Sequence, residues 1–374
     1  MKKKFIFITG SRAEYGIIKN LLFLAKKNKY FQLILIVTGS HFEKKYGNTY
    51  KEIINDGLVI NYKIKNIDIK NNELSTINLI ANNCKNLSKI FSIENPDLVF
   101  LTGDRYEMIP AAISATIQNI NIAHLHGGEI TLGSFDNAIR NSITMMSKYH
   151  FVATLNAKKR LKLMGIKPGN IFHVGSPSID KKFPIKIISK NLLIKNLNIQ
   201  FNKKNILVTY HRETTGNSNS NVDFKILLNA LNQLKDTNIF FTGINADPHS
   251  KLIKKEIFKY KKTNNNIYYF SNLGKLLYFT LCSYVDVVVG NSSSGLIEIP
   301  YLNKPTINLG NRQKNRDFGN SVINIPLNSK IIIKKINHIY TSTFKNKIKT
   351  IYNPYYKINS NSSIIKIIEN IKLV

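Results

Sequence analysis

The chain has 374 residues, and 54 Lys or Arg against 22 Asp or Glu give it a formal charge of +32. A hydrophobic content of 43% excludes a disordered chain, and the length suits two domains. No apolar run approaches roughly 18 residues, so we expect neither a signal peptide nor a transmembrane helix. The 47 Lys are scattered and not interleaved with aromatic residues, so we expect no nucleic-acid partner but an attraction for anionic small substrates.

The first half of the chain alternates short apolar runs with amphipathic stretches. The apolar runs predict buried strands, and the amphipathic stretches predict helices between them. The predicted strands cover residues 4–9, 33–37, 98–101, 120–124 and 149–153, and the predicted helices cover residues 15–27, 74–91, 106–117 and 157–164. Nearly continuous hydrophobic strands that are separated by helices favour a parallel sheet covered on both faces.

The same alternation restarts after a looser stretch at residues 175–205. The predicted strands of this half cover residues 205–209, 239–242, 267–270, 285–289 and 306–309, and its helices cover residues 222–234, 276–282 and 294–302. A short amphipathic helix is predicted at residues 362–371. The predicted fold class is therefore α/β, with two doubly wound domains that face each other across a cleft.

The pattern also predicts where the two domains begin and end. Residues 1–180 form the predicted N-terminal domain, and residues 205–355 form the predicted C-terminal domain. Residues 181–204 are interpreted as a hinge or linker. Residues 356–374 contain the C-terminal helix, which we expect to pack back across the hinge.

Polar and glycine-containing blocks follow the predicted strands. In doubly wound sheets, ligands bind beyond the carboxyl ends of the strands. The blocks are TGSR at residues 9–12, TGSH at 38–41, TGDR at 102–105, HLHGGE at 124–129, YHRETT at 210–215 and GNSSSG at 290–295. Six of the seven Arg lie in these or similar blocks, namely Arg12, Arg105, Arg140, Arg212, Arg312 and Arg316. Arg in a Lys-rich chain favours bidentate anion binding at these places.

The GNSSSG block between a valine-rich strand and a predicted helix is a candidate phosphate site. Small residues let the backbone approach an anion, and the start of a helix offers free amides. The polar side chains of the block are Asn291, Ser292, Ser293 and Ser294. The block is not a Walker motif, and a plain helix cap by Ser294 is the alternative interpretation. Glu298, one turn into the helix, is either a partner for a ribose hydroxyl or a solvated first-turn acid.

Several carboxylates lie near two of the predicted strand ends. They are Asp104, Glu107, Glu129 and Asp136. Paired carboxylates, or a carboxylate with His, can transfer protons once burial separates their pKa values. The alternative is a structural role, either as a charge at a helix N-terminus or in an ion pair with Arg105 or Arg140.

The histidines and cysteines are candidates for catalytic residues and for metal ligands. His126 and His211 stand at predicted strand ends and are the histidines that we expect in the site. No cluster has the spacing of metal ligands and no G-x-S-x-G motif is present, so we expect neither a metal site nor serine-hydrolase chemistry. Cys84 and Cys282 have no partner spacing, which favours free thiols in a reducing cytoplasm.

Eight ordered blocks resemble those of the hydrolysing UDP-N-acetylglucosamine 2-epimerases of bacterial sialic and related nonulosonic acid biosynthesis. The blocks are ITGSRAEYG, VTGSHFEKKYGNTYKEI, LTGDRYE, HLHGGE with DNAIRNSIT, VGSPSID, YHRETT, GNSSSGLIEIP and NLGNRQKNRDFG. The resemblance runs from about Lys4 to about Pro326. It implies a glycosyltransferase-B-like (GT-B-like) fold of two Rossmann-like domains, which agrees with the two domains predicted from the strand pattern.

The resemblance also implies a reaction. A base removes the C2 proton of the N-acetylhexosamine while the C1–O bond to UDP breaks, which gives a 2-acetamidoglucal. Water then adds with inversion at C2, so that UDP-GlcNAc and water yield ManNAc and UDP. Such a reaction needs no cofactor, and members of the family commonly form homo-oligomers in the cytoplasm.

The matching blocks carry over the family's site residues. Asp104 and Asp136 correspond to acid/base candidates, and His126 and Glu129 complete the catalytic set, although the resemblance leaves open which residue removes the C2 proton. The implied substrate-binding and nucleotide-binding residues are Arg12, His211, Asn291, Ser292, Ser293, Ser294, Glu298 and Arg312.

Other functions remain open from the sequence. A sister group of epimerases in legionaminic acid biosynthesis acts on GDP-N,N'-diacetylbacillosamine and has very similar blocks. A GT-B-like glycosyltransferase, or a sugar-nucleotide-binding protein without turnover, would belong to a different class. Release of UDP or GDP in the absence of an acceptor sugar distinguishes the epimerases from that class.

Overall fold

The structure is a computed structural model that describes residues 2–65, 72–132, 134–211, 213, 220–243 and 251–371. The chain divides into two compact units, here called the first and the second domain. The first domain consists of Met1–Glu129, Asp136–Pro184 and Pro354–Val374, and the second consists of Ile130–Phe135 and Ile185–Asn353. No helix in the described ranges is both long and apolar enough to cross a membrane.

A parallel sheet of seven strands forms the centre of the first domain, with the order β3-β2-β1-β4-β5-β6-β7. In chain order the strands are β1 (Lys3–Thr9), β2 (Phe31–Val37), β3 (Tyr62–Lys63), β4 (Leu98–Thr102), β5 (Ile122–Leu125), β6 (Tyr149–Val152) and β7 (Ile171–His173). Its first six helices are α1 (Arg12–Lys27), α2 (Tyr50–Asn55), α3 (Glu73–Glu94), α4 (Ile109–Ile117), α5 (Asp136–Met146) and α6 (Leu155–Leu163). The chain order reverses between β1 and β4, which makes their ends the topological switch point.

Apolar side chains cover both faces of this sheet. Phe5 and Phe7 of β1 pack with α1 on one face, whereas Ile6 and Ile8 pack with residues of α3 and α4 on the other. Successive side chains of a strand point to opposite faces, so an uninterrupted apolar strand needs helices on both sides. The buried parallel sheet predicted for this half is therefore present.

The second domain has the same topology in a sheet of six parallel strands, ordered β10-β9-β8-β11-β12-β13. Its strands are β8 (Lys204–Thr209), β9 (Thr237–Thr242), β10 (Ile267–Phe270), β11 (Val287–Gly290), β12 (Thr306–Leu309) and β13 (Val322–Ile325). Its helices are α7 (Lys190–Leu197), α8 (Ser220–Leu231), α9 (Lys251–Lys262), α10 (Gly274–Tyr284), α11 (Ser294–Ile297), α12 (Ser329–His338) and α13 (Ser342–Lys347). The switch point here lies between β8 and β11.

The C-terminal helix α14 (Ser360–Asn370) belongs to the first domain. Its Ile364 and Ile368 are buried in the same cluster as Tyr15 and Ile18 of α1. Asn28 at the end of α1 donates a hydrogen bond of 2.6 Å to Glu369. The helix thus covers one face of the first sheet, while the predicted boundaries at residues 180, 205 and 355 stay predictions.

Some elements differ from the sequence-based prediction, and prolines explain two of the differences. The helix predicted from residue 106 begins at Ile109, where Pro110 occupies the first turn. The helix predicted for residues 294–302 ends at Ile297, and a separate 3-10 turn covers Pro300–Leu302. Pro300 lacks the amide hydrogen that would continue the α-helix.

Candidate active site

Three predicted blocks of the first domain lie at the adjacent carboxyl ends of β1, β4 and β5. The side chain of His124 in β5 donates a hydrogen bond of 2.7 Å from Nε2 to the carbonyl of Gly103 after β4. A Cβ on Gly10 after β1 would lie 2.6 Å from Cβ of Glu107, so these two blocks are also in contact. The sheet topology therefore gathers the predicted blocks at the switch point of the first domain.

Asp104 is held by Arg140, a buried residue of α5. Arg140 Nη2 donates to Oδ2 of Asp104, and Arg140 Nη1 donates to the carbonyl oxygen of Glu129 at 2.8 Å. The side chain of Arg140 is 2% exposed, whereas that of Asp104 is 22% exposed. The ion pair fixes the orientation of the Asp104 carboxylate and leaves part of that carboxylate accessible.

His126 and Glu129 form a second buried pair after β5. Nδ1 of His126 lies 2.6 Å from Oε1 of Glu129, and Nε2 lies 3.2 Å from Oγ of Ser176. His126 has a φ of 62°, a left-handed conformation that costs about 1–2 kcal/mol in a residue with a side chain. Such strain occurs preferentially at functional positions.

Asp136, the fourth predicted catalytic residue, is the buried first residue of α5. It lies four residues before Arg140 on the same helix, so the two side chains share one face. Asp104 and Glu129 are thus joined through Arg140, His126 is bonded to Glu129, and Asp136 is carried by the helix that supplies Arg140. Their catalytic roles stay predictions.

Two buried carboxyls and one partly exposed guanidinium lie beside these residues. Arg105 binds Glu107 through two hydrogen bonds of 3.0 and 3.1 Å, which is the structural role that the sequence left open for Glu107. Glu14 accepts hydrogen bonds from the backbone amides of Gly10 at 2.6 Å and Ser11 at 3.0 Å. Burial, followed by the charge of Glu107, raises the pKa of Glu14 from 4.5 to about 8. The Ser-x-x-Glu spacing of a capping box could have predicted the place of Glu14.

Replacing Glu14 by Gln should make the stability of the protein less dependent on pH between 4.5 and about 8. In this range the folded chain keeps a proton that the unfolded chain has released, so Glu14 lowers the free energy of unfolding as the pH rises. Gln retains an oxygen for the two amides and does not ionise. We expect the wild type to lose about 1.4 kcal/mol of stability relative to the variant for each pH unit within this range.

Urea denaturation of both proteins below and above this pH range measures the effect. Glu73→Gln is the control, because Glu73 lies in the first turn of α3 but is exposed. If the free energy of unfolding fell by the same amount in the wild type and in Glu14→Gln as the pH rose through this range, the raised pKa of Glu14 would be contradicted.

Three blocks of the second domain meet at the ends of β8, β11 and β12. Oδ1 of Asn291 accepts from the amide of His211 at 2.7 Å, and Nδ2 of Asn291 donates to the carbonyl of His211 at 2.8 Å. The carbonyl oxygen of Asn291 accepts from Nη1 of Arg312 at 3.1 Å and from Nε2 of Gln313 at 3.0 Å. Asn291 therefore joins the predicted residues His211 and Arg312, and all three are buried.

The serine block does not act as a simple helix cap. Ser293 precedes α11 without a side-chain capping bond, and the amide of Ser294 donates a long 3.4 Å bond to Oγ of Ser292. Ser294 is the first helical residue, and its Oγ accepts a 3.0 Å bond from the hydroxyl of Tyr278. Burial raises the pKa of Tyr278, which keeps it a donor. The alternative that Ser294 only caps the helix is wrong.

The remaining predicted residues lie near these blocks. Arg12 is the partly exposed first residue of α1, and Glu298 is a buried residue at the end of α11. Glu213 was not predicted as a site residue, although its Oε1 accepts from the amides of Asn311 at 2.8 Å and Arg312 at 3.1 Å. Arg212, Thr214 and Thr215 of the same block lie outside the described residues. No three His, Cys, Asp or Glu side chains form a metal site in the ranges that the structure describes.

Comparison with known proteins identifies the family of this chain. A family model described as UDP-N-acetylglucosamine 2-epimerase matches residues 24–369. The chain belongs to the UDP-N-acetylglucosamine 2-epimerase family. The family resemblance inferred from the eight blocks is thereby confirmed.

Curated relatives in this 2-epimerase family cover most of the chain. Polysialic acid biosynthesis protein P7 of Escherichia coli is 37% identical over 375 residues, which is 98% of this chain and 94% of that protein. The GDP/UDP-N,N'-diacetylbacillosamine 2-epimerase (hydrolyzing) of Campylobacter jejuni is 34% identical over 328 residues, which is 87% of this chain and 85% of that protein. The alignments cover 94% and 85% of the two relatives, so the family assignment applies to both domains.

A solved structure of a 2-epimerase has the same fold. The UDP-GlcNAc 2-epimerase of Neisseria meningitidis, bound to UDP-GlcNAc, superposes with a TM-score of 0.84 at 18% identity. The match covers 98% of this chain and 100% of that chain. Together with the two sheets, it confirms the predicted α/β class with two doubly wound, Rossmann-like domains.

Proposed function

We propose that this 2-epimerase is hydrolysing and converts UDP-GlcNAc and water to ManNAc and UDP, for sialic acid biosynthesis. The observation that carries the proposal is the group of proton-transfer residues at the switch point of the first domain. Asp104 is oriented by Arg140 and remains partly accessible, and His126 is paired with Glu129. An elimination followed by a hydration needs such groups, because a proton leaves C2 in the first step and returns in the second.

The reaction balances without any cofactor. One group takes the proton from C2, the C1–O bond breaks, and UDP leaves with the bonding electrons. Water then supplies the hydroxyl at C1, while a second group gives a proton to C2 on the opposite face and takes the remaining proton of that water. The first group releases the proton it took from C2 to solvent. If the glycal keeps its orientation, inversion requires one group on each face, and we assign Asp104 and the His126–Glu129 pair to them, with Asp136 as a further acid. Arg140 pairs with the Asp104 carboxylate and fixes its orientation.

The second domain supplies the residues that bind the nucleotide in this proposal. The hydroxyl of Ser294 already accepts a hydrogen bond from Tyr278, so its own hydrogen can be donated to a phosphate oxygen. Ser292 and Ser293 are further donors for the diphosphate, whose negative charge grows as the C1–O bond breaks, and the substrate-binding role of Arg12 in the first domain stays a prediction. His211, Asn291 and Arg312 shape this part of the site, and Glu298 accepts from a ribose hydroxyl.

A different substrate, with another sugar and another nucleotide base, is the main alternative to UDP-GlcNAc. The relative from Campylobacter jejuni carries a name that specifies GDP- or UDP-linked N,N'-diacetylbacillosamine, and its 34% identity is close to the 37% of the polysialic acid protein. The same elimination and hydration would apply to that substrate. A glycosyltransferase or a binding protein is less well supported, because the acids of the first domain would then have no proton to transfer. The homo-oligomeric state and the cytoplasmic location stay predictions.

Proton NMR in deuterated water tests the function. Purified protein is incubated separately with UDP-GlcNAc and with GDP- or UDP-N,N'-diacetylbacillosamine, with no acceptor sugar. Free ManNAc with deuterium at C2 is the expected result. Turnover of the diacetylbacillosamine nucleotide alone would assign the other substrate, and release of neither sugar despite nucleotide binding would contradict the epimerase proposal.

Replacing Ser292 by Ala should weaken nucleotide binding without abolishing turnover. The hydroxyl accepts only a long 3.4 Å bond within the protein, so its loss should affect the ligand more than the fold. We expect the Kd of UDP to rise by about tenfold or more, because a hydrogen bond to a charged group contributes about 1.5 to 3 kcal/mol. Isothermal titration calorimetry measures it, with Ser283→Ala on α10 as the control, since that hydroxyl donates to the carbonyl of Thr280. Unchanged affinity of Ser292→Ala would remove this serine from the phosphate site.

A further inference from the structure

A continuous chain of hydrogen bonds runs from Glu129 through His126 to two serines after β7. Oε1 of Glu129 lies 2.6 Å from Nδ1 of His126, and Nε2 lies 3.2 Å from Oγ of Ser176. Oγ of Ser176 lies 3.0 Å from Oγ of Ser178. Ser176 is 0% exposed and Ser178 is 3% exposed, so water does not replace these bonds.

The chemistry of the four groups fixes the direction of the bonds. A carboxylate only accepts, so Nδ1 of His126 carries a hydrogen and donates it to Glu129. In the neutral ring Nε2 is then an acceptor for the Ser176 hydroxyl, and Ser176 accepts from Ser178. When Nε2 is protonated, Ser176 accepts from it and turns its own hydrogen towards Ser178. Two rotatable hydroxyls can therefore bind the ring in either protonation state.

The loop that carries both serines is anchored by the C-terminal segment of the first domain. The amide of Ser176 donates to the carbonyl of Tyr355 at 2.8 Å. The side chain of Asn361, at the start of α14, donates to the carbonyl of Pro177 at 3.0 Å and to the carboxylate of Asp180 at 2.9 Å. Because residues on both sides of Ser178 are held in this way, the hydroxyls change direction by rotation and the loop stays in place.

We propose that Ser176 and Ser178 form a two-hydroxyl relay that holds the His126 ring in place in both of its protonation states. This inference rests on the function proposed above, in which the His126–Glu129 pair takes part in a proton transfer. Because both ring nitrogens are bonded within the protein, Glu129 exchanges the proton with the sugar, and His126 holds Glu129. Ser176 is thus a positioning residue that acts through His126. The arrangement has the order of a Ser-His-Glu triad, but a fully buried Ser176 cannot reach an acyl group as a nucleophile.

Alanine variants separate the two hydroxyls. Ser176→Ala should lower kcat about tenfold with little change in KM, because the ring loses its partner in both protonation states. Ser178→Ala should lower kcat by about threefold, since only the protonated ring then lacks a final acceptor. Ser114→Ala is the matched control with wild-type kcat, because its buried hydroxyl in α4 donates to the carbonyl of Cys84.

Nitrogen NMR of ¹⁵N-labelled histidine gives a readout that does not depend on turnover. In Ser176→Ala the Nε2 signal of His126 should move towards that of an imine nitrogen without a hydrogen bond, while the Nδ1 signal stays in place. An unchanged Nε2 signal, wild-type kcat in Ser176→Ala, or labelling of Ser176 by a fluorophosphonate would each overturn the relay. If the wild type released no sugar from any substrate, the proposed function would fail, and the Nε2 signal would still decide whether the relay exists.

Discussion

Asp104→Asn is expected to lower turnover by about a hundred- to ten-thousandfold while the affinity for UDP stays within about twofold. General acid–base catalysis contributes about 10² to 10⁴ in rate, and an amide can neither take nor return the C2 proton. The Asn oxygen can still accept from Arg140, so the buried guanidinium keeps a partner. The loss should therefore be in kcat, with the fold and the nucleotide site intact.

Asp97→Asn is a closely matched control for this prediction. Asp97 stands directly before β4 and Asp104 shortly after it, so the two acids lie at opposite ends of one strand. Asp97 accepts a hydrogen bond from the amide of Lys4 and should be dispensable for catalysis. Steady-state kinetics and calorimetry with UDP are measured on both variants. Substantial turnover by Asp104→Asn would exclude Asp104 as an essential acid or base and would move that role to the His126–Glu129 pair.

Gly290→Ala is expected to destabilise the second domain by about 3 to 5 kcal/mol and to abolish nucleotide binding. Gly290 ends β11 with a φ of 148°, a conformation that side chains rarely adopt, and a Cβ there would lie 1.9 Å from the carbonyl oxygen of Thr209. That oxygen accepts the 3.1 Å bond from the amide of Asn291 that joins β8 to the serine block. Strands β8 and β11 must separate to admit the methyl group. The two hydrogen bonds between Asn291 and His211 are then lost.

Gly165→Ala is a control that introduces backbone strain without a close contact between the new methyl group and another residue. Gly165 also has a positive φ, of 86°, but no atom lies within 4 Å of its added Cβ. Strain alone should cost about 1 to 2 kcal/mol and leave UDP binding unchanged. Urea denaturation and calorimetry compare the two variants. If Gly290→Ala proved as stable as Gly165→Ala, the tight contact with Thr209 would not be essential to the second domain.

Three helices that the sequence analysis did not predict are α7, α9 and α12. α7 lies in the stretch interpreted as a hinge, and Leu193 is its only fully buried residue. Lys-rich α9 and α12 present narrow apolar stripes, with Ile253 and Ile257 on one and Ile332 and Ile336 on the other. The apolar residues of α9 and α12 recur at helical spacing, so the pattern could have predicted both helices, whereas α7 gives a weaker periodic signal because it buries one side chain. The strands were easier to predict because both of their faces are buried.

The candidate site was predictable in part. The carboxyl ends of parallel strands lie at the same edge of a sheet. The glycine-containing and polar blocks that follow the strands could therefore be placed together from the local pattern alone. The Glu107–Arg105 pair and the Asp104–Arg140 pair were among the alternatives left open, and only the structure decided between them. Ser176 stood in the VGSPSID block without an assigned role, because nothing in that block indicates that it contacts His126.

The amino-acid sequence by itself determined the α/β class, the alternation of strands and helices, the polar blocks at strand ends and the family. These features are local, since each depends on the types and order of neighbouring residues. The tertiary structure alone decided that Arg140 binds Asp104 from 36 positions away and that Ser176 meets His126 across 50 positions. Such contacts depend on which strands lie side by side and how loops are anchored, and these are set by packing of the whole domain.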